Sequence, residues 1–162
     1  MTCRSVFLLA LVFCMLAGCN RAPSSGPPQV RFGKDECAEC KMGVVDDRAA
    51  CAIRTRGPDE PTVLVFDDIG CMLDYERLNP DVRIVERYVT DFKTRRLIPA
   101  ESAAYLFGAT VQTPMGSATV AFSDAATAGE EKKSIGGELV SFDDLKSRRQ
   151  RVMEERYGKP AR

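Results

Sequence analysis

Histidine is missing altogether: none occurs in 162 residues. The commonest metal ligand is therefore unavailable, and a zinc site built on a histidine pair is excluded. Net charge is missing too, with 23 basic residues against 23 acidic ones. Nucleic acid and anionic membrane surfaces both demand a basic excess, so neither is the expected main partner. Long apolar runs are scarce. The first, from Val6 to Ala17, is too short to span a bilayer as a helix. What remains is ordinary globular composition, 44% hydrophobic and 28% charged, enough for one domain of usual size or two very small ones.

The apolar run has another use. Arg4 precedes it and Leu16-Ala17-Gly18-Cys19 closes it, which is the shape of a signal peptide. Small residues before a cysteine resemble the lipobox of bacterial lipoproteins, in which the chain is cut before the cysteine and its thiol is acylated. The expectation is a signal peptide at 1–18, lipidation at Cys19 and a flexible Pro/Ser/Gly linker across 19–31. More than one acyl chain makes such an anchor stable. Asn20, where Asp would signal inner-membrane retention, favours the outer membrane. Cys3 and Cys14 leave with the signal peptide, so the folded part, expected at 32–158, keeps Cys37, Cys40, Cys51 and Cys71. It faces the periplasm, where unused thiols tend to oxidise.

The folded part repeats itself. Met42-Gly43 and Met115-Gly116 are each followed, at nearly the same distance, by Phe-Asp-Asp, at Phe66 and at Phe142. The repeat predicts two related halves, about 37–90 and 110–158, each too small to bury a good core alone. An Asp after the Phe is expected to cap a helix in each half, giving helices over about 68–78 and 143–157, the second stopped by Gly158. Further helices are expected over 99–107 and 124–133. Strands are expected near 43–46, 50–55, 62–66, 82–89, 110–112, 117–122 and 138–141. The mixed order predicts an α+β fold of two small ββαβ-type halves packed together. Lys146, Arg148, Arg149 and Arg151 read as a solvated helix face.

The chemistry concentrates in Cys37-Ala38-Glu39-Cys40-Lys41-Met42-Gly43. A Cys-x-x-Cys pair serves a thiol–disulfide oxidoreductase when it opens a helix whose dipole lowers the thiol pKa. Here Met-Gly-Val-Val follows, which suits a turn entering a strand. A structural zinc site wants four ligands; neither a second Cys pair nor a His pair is present, and Cys51 and Cys71, which could complete a set, read as strand and helix interior. A plain Cys37–Cys40 disulfide accounts for the thiols and leaves Met42 unexplained. Copper(I) accounts for more, because soft thiolate and thioether donors select it. Two Met-Gly turns in matched positions would bring Met42 and Met115 to one cleft beside Cys37 or Cys40.

The blocks beginning Cys37-Ala38-Glu39-Cys40, Val65-Phe66-Asp67-Asp68-Ile69-Gly70-Cys71-Met72-Leu73, Val89-Thr90-Asp91-Phe92 and Thr113-Pro114-Met115-Gly116-Ser117 resemble, in that order, those of NosL-type lipoproteins. The resemblance implies a fold of two similar halves related to the organomercurial lyase fold. It implies delivery of Cu(I) in the periplasm to apo nitrous oxide reductase, for its copper–sulfide centre, with an ABC-type membrane complex as a further partner. Carried over by position, Cys37, Cys40 and Met42 match the first motif, Cys71 and Met72 the second and Met115 the third. The family often has Gly where this chain has Lys41, and commonly offers a histidine. Few ligands and open access would suit a chaperone, and would also allow a homodimer that shares the ion. Two other functions compete: a disulfide oxidoreductase or carbon–mercury lyase, with Asp67 or Asp68 as the acid, and a structural lipoprotein.

Overall fold

The computed structural model describes residues 26–57 and 61–158. The signal peptide, Cys19 and the linker as far as residue 25 lie outside the described residues. Among these residues seven strands and three α-helices follow in the order β1 (Cys51–Arg56), β2 (Pro61–Phe66), α1 (Ile69–Leu78), β3 (Ile84–Thr90), β4 (Leu97–Pro99), β5 (Ala104–Ala109), β6 (Thr119–Phe122), α2 (Ala125–Ile135), β7 (Gly136–Val140) and α3 (Phe142–Tyr157). No helix among the described residues is long and apolar enough to cross a membrane. Residues 26–31 are more than a tether. Gly26 offers its carbonyl to Arg54 at 2.8 Å, and Val30 packs on the core, so the ordered chain starts ahead of residue 32.

Two antiparallel sheets carry the fold, ordered β2-β1-β3-β4 and β6-β5-β7. Each contains a ββαβ unit whose first strand lies between the other two: β1-β2-α1-β3, and β5-β6-α2-β7. The architecture is the expected α+β pair of halves, but the register of the repeat differs. In space Phe66-Asp67-Asp68, leading from β2 into α1, matches Phe122-Ser123-Asp124, leading from β6 into α2. Asp68 caps α1 by accepting the Gly70 N–H at 2.6 Å, and Asp124 caps α2 by accepting the Thr127 N–H at 2.8 Å. The Phe142 triplet lies inside α3, whose cap is Ser141. Its Asp143 and Asp144 sit in the first helical turn, where negative charge meets the positive end of the dipole. The two Met-Gly pairs are not equivalent either: Met42 precedes β1, whereas Met115 lies between β5 and β6.

The helix expected over 99–107 does not form. Only a 3₁₀ turn, Ala100–Ser102, appears before β5. Tyr105, Leu106 and Phe107 pair instead with both β6 and β7, and burying aromatic side chains on a central strand outweighs a helix-like start. The second half therefore begins at β5 and not near residue 110, where no strand runs. Gly43 likewise forms only an isolated bridge with Glu36.

The halves share one core. Ile53, Phe66 and Met72 from the first pack in the same cluster as Tyr105, Ala121, Phe142 and Leu145 from the second. A parallel bridge joins Asp91 to Ala121, and the Asp91 carboxylate binds across it, taking the Ser123 N–H at 2.6 Å. Its other oxygen takes the N–H groups of Lys93 and Thr94 at 3.0 and 2.7 Å.

Candidate metal centre

Three segments meet at one end of α1. The first is a tight loop from Cys37 to Met42. It is closed by the Cys37 N–H donating to the Met42 carbonyl at 2.8 Å and the Lys41 N–H donating to the Cys37 carbonyl at 3.0 Å. The Ala38 N–H, donating to the Val65 carbonyl at 2.8 Å, fastens the loop to the end of β2. Closure forces Lys41 to φ +65°, the left-handed region that costs a side-chain-bearing residue about 1–2 kcal/mol. Glycine would adopt this conformation without that cost. The second segment is Asp67-Asp68 with the first turn of α1, which carries Cys71. The third is the turn from Thr113 to Ser117.

The first two segments build a donor cluster. One sulfur each from Cys37, Cys40 and Cys71 and one carboxylate oxygen of Asp67 all lie within 4.8 Å of one another. Donors around a metal held by bonds of about 2.3 Å stand about 3.8–4.0 Å apart, so small side-chain rotations would close this set on an ion. Cys37, Cys71 and Asp67 are buried and Cys40 is half-buried. All four cysteines of the described chain are free thiols. The Cys40 thiol donates to Asp67 Oδ2 at 3.5 Å, while Asp67 Oδ1 is buried with no hydrogen-bond partner. An orphaned carboxylate oxygen is costly in a core and is what a cation would satisfy.

The thiols differ in acidity. A hydrogen bond from the Cys71 thiol lowers Cys37 to about 6, against the opposing effect of burial. The bond thus favours the thiolate at Cys37, which is the form that binds metal. The same hydrogen bond, together with burial, raises Cys71 far above the usual thiol range. Burial raises Cys40 to about 11. The negative charge lies beside the N-terminal turn of α1, where the helix dipole favours it.

The third segment is seated on the same helix end. The Met115 N–H donates to Asp68 Oδ2 at 3.1 Å, so the capping residue of α1 also holds the Met115 turn. Gly70 permits the approach, because a β-carbon there would lie 2.8 Å from Ser117 Cβ. Met115 is thereby fixed by its main chain next to Asp68, with its side chain 43% exposed, and Met42 is 55% exposed at the end of the Cys37 loop.

The fold thus gathers Cys37, Cys40 and Cys71 and brings the Met115 turn alongside. Met72 is fully buried within the hydrophobic core. Cys51 is also buried, donating to the Ala49 carbonyl at 3.2 Å. Asp67 is the member that sequence reasoning assigned to capping. The available signal was the doublet itself: one Asp suffices to cap α1, and Asp68 does it.

The family model for NosL matches residues 30–149, which takes in the Cys37 loop, the Asp67–Cys71 turn and the Met115 turn together. The chain belongs to the NosL family. A solved structure of the copper chaperone NosL from Shewanella denitrificans superposes with a TM-score of 0.64 at 22% identity, covering 75% of this chain and 96% of that one. At that identity the likeness speaks for a shared NosL fold. No curated protein sequence matches the chain.

Proposed function

We propose that this NosL-family chain is a periplasmic metallochaperone that binds Cu(I) and delivers it to apo nitrous oxide reductase for assembly of its copper–sulfide centre, in concert with an ABC-type membrane complex. The observation that carries the reading is the cluster of three thiols and a carboxylate within 4.8 Å. Soft sulfur donors select Cu(I) over harder ions, so the absence of histidine does not weaken the site. Buried Cys37 and Cys71 retain the ion, half-buried Cys40 is the exchangeable donor, and Met42 and Met115 offer exposed thioethers at which an incoming protein starts ligand exchange. Met72 stays a structural neighbour. Such transfer breaks no covalent bond of a substrate, so no enzymatic step is needed. Lipidation at Cys19, in the outer membrane, would hold the chaperone at the periplasmic face. A homodimer sharing the ion through the exposed methionines is a further arrangement of the same site.

Titration of Cu(I) into the reduced protein against a chromophoric Cu(I) chelator tests this. The expected result is tight one-to-one competition, lost in Cys37→Ser/Cys40→Ser and weakened in Met115→Ala and Met42→Ala. Failure of the wild type to compete would end the metal reading. Copper transfer to the apo reductase then tests the client, and palmitate incorporation lost in Cys19→Ala tests the anchor.

One observation favours a second reading. Two cysteine sulfurs to capture mercury and a carboxylic acid to protonate the leaving carbon are what cleavage of a carbon–mercury bond needs, and Cys37 together with a Cys40 thiol that can pass its proton to Asp67 at 3.5 Å offers those groups. The carbon–mercury bond would break, the carbon would gain the proton, and the thiolates would keep Hg(II). Release of benzene from a phenylmercury salt would establish it. The oxidoreductase reading fits less well, because Cys37 and Cys40 sit in a turn and open no helix.

A further inference from the structure

Further along the helix that carries Cys71, α1, β3 and α3 enclose a cleft of about 600 Å³, within the usual range of binding clefts. Its walls carry five cations, Arg77, Arg83, Arg87, Lys146 and Arg149, against one carboxylate, Glu76. Glu76 is already shared, by Arg87 at 2.8 Å and Lys146 at 3.3 Å. Arg149 is held by Asp74 at 2.5 Å. Arg77 comes no nearer to Asp74 than 3.8 Å, and its Nε is buried with no hydrogen-bond partner. Arg83 is exposed and has no carboxylate partner among the described residues. Positive charge therefore remains unneutralised in a chain that is neutral as a whole. Leu73, Val82 and Ile84 add an apolar lining.

This chemistry fits a polypeptide segment bearing carboxylates around an apolar side chain. A bare inorganic anion would leave the apolar lining unfilled, and a lipid surface is too flat to enter a concave cleft. Position adds to the argument. Leu73, Glu76 and Arg77 occupy the turns of α1 just after Cys71, and the Arg149 guanidinium carbon lies 3.2 Å from where a β-carbon on Gly70 would stand. The cleft and Cys71 thus share α1 but lie on different faces of it, since Leu73, Glu76 and Arg77 stand roughly 140–240° around the helix from Cys71. The α3 face that reads from sequence as solvated is thus divided: Lys146 and Arg149 turn into the cleft, while Arg148 pairs with Glu138 outside it.

We propose that this cleft is the docking site for an acidic, apolar-bearing segment of the protein that receives the metal. The proposal rests on the metal-delivery reading for the identity of that protein. Complementary charge would steer the encounter and set its orientation, and salt would weaken it.

The test uses the reduced full-length chain and a fluorescent dodecapeptide of glutamate with a central Leu-Leu pair. Its lysine counterpart and phosphatidylglycerol vesicles serve as controls. The expected result is saturable binding of the acidic peptide alone, weakened at least tenfold by Arg83→Glu and several-fold by Lys146→Gln, and lost at high salt. Amide shift changes should be confined to residues 73–87 and 146–150. No binding, binding untouched by Arg83→Glu, shifts elsewhere, or binding of vesicles in place of peptide would each overturn it. Both substitutions are at exposed or half-exposed positions, and Arg83→Ala supplies a milder variant. Chelator competition on the same variants should stay within twofold of wild type. A wild type that holds no Cu(I) would defeat the metal-delivery reading, while the peptide result would still judge the cleft.

Discussion

Replacing Gly70 by alanine tests whether the Met115 turn is seated on α1 as the site requires. The new β-carbon would stand 2.8 Å from Ser117 Cβ, 3.1 Å from Asp68 Oδ1 and 3.2 Å from the Arg149 guanidinium carbon. Carbon pairs are best at about 3.5–4.0 Å, so the closest contact is short by at least about 0.7 Å. Ser117 Cβ moves only with the turn's backbone, and Asp68 is fixed by its capping bond, so relief has to come from lifting the turn. Two effects of opposite sign compete. Alanine is the better helix residue by roughly 0.5–1 kcal/mol, whereas overpacking costs roughly 1–3 kcal/mol. The expected net loss is about 1–2 kcal/mol. A urea melt should therefore lose about 0.5–1 M in its midpoint. Ser117→Gly removes the obstructing carbon, so adding Gly70→Ala to Ser117→Gly should cost far less than adding it to wild type. A Gly70→Ala protein that melts at or above the wild-type midpoint would refute the reasoning, because helix propensity alone gives that result.

Asp91→Ala should cost about 2–3 kcal/mol, since it orphans buried N–H groups that bond to a charged acceptor. Burial raises the Asp91 pKa, but the Thr94 and Ser123 hydrogen bonds overcome this and leave it below its ordinary value. Its stabilisation is therefore present above the unfolded pKa of about 3.9 and lost as pH falls through the lower folded value. Acid melts of the variant should show a shallower decline below about pH 4. Lys41→Gly should raise stability by roughly 0.5–1 kcal/mol in the same urea assay by relieving the left-handed residue. Cu(I) binding at pH 7 should release about two protons, from Cys40 and Cys71, and almost none from Cys37. Calorimetry in buffers of different ionisation enthalpy measures this. Cys51→Ala should leave Cu(I) affinity within twofold while lowering the melting temperature.

Local chemistry made much of the molecule legible. The Asp68 cap, the Gly158 stop and the β-rich stretches around Ile53, Leu64 and Val120 all announced their elements. The repeat was legible in kind and misread in register. Phe142-Asp143-Asp144 copies the letters of Phe66-Asp67-Asp68, yet Ser141 takes the cap, and the true spatial counterpart keeps only Phe122 and Asp124. Ala100 to Phe107 was misread because its strand state depends on pairing with Val120 and Leu139, which local pattern does not reveal. At the site, Cys37 and Cys40 were evident from spacing. Cys71 was named in advance only by the resemblance, and the contact between the Cys37 loop and the start of α1 is what puts it in the cluster; Asp67 joins because Asp68 does the capping.

The central claim is that sulfur from Cys37, Cys40 and Cys71 holds the ion. X-ray absorption at the copper edge of the Cu(I)-loaded protein tests it most directly. The account predicts a first shell of about three sulfurs near 2.3 Å, with one sulfur lost in Cys71→Ser and more in Cys37→Ser/Cys40→Ser. A shell dominated by nitrogen or oxygen, or a sulfur count unchanged by those substitutions, would contradict it.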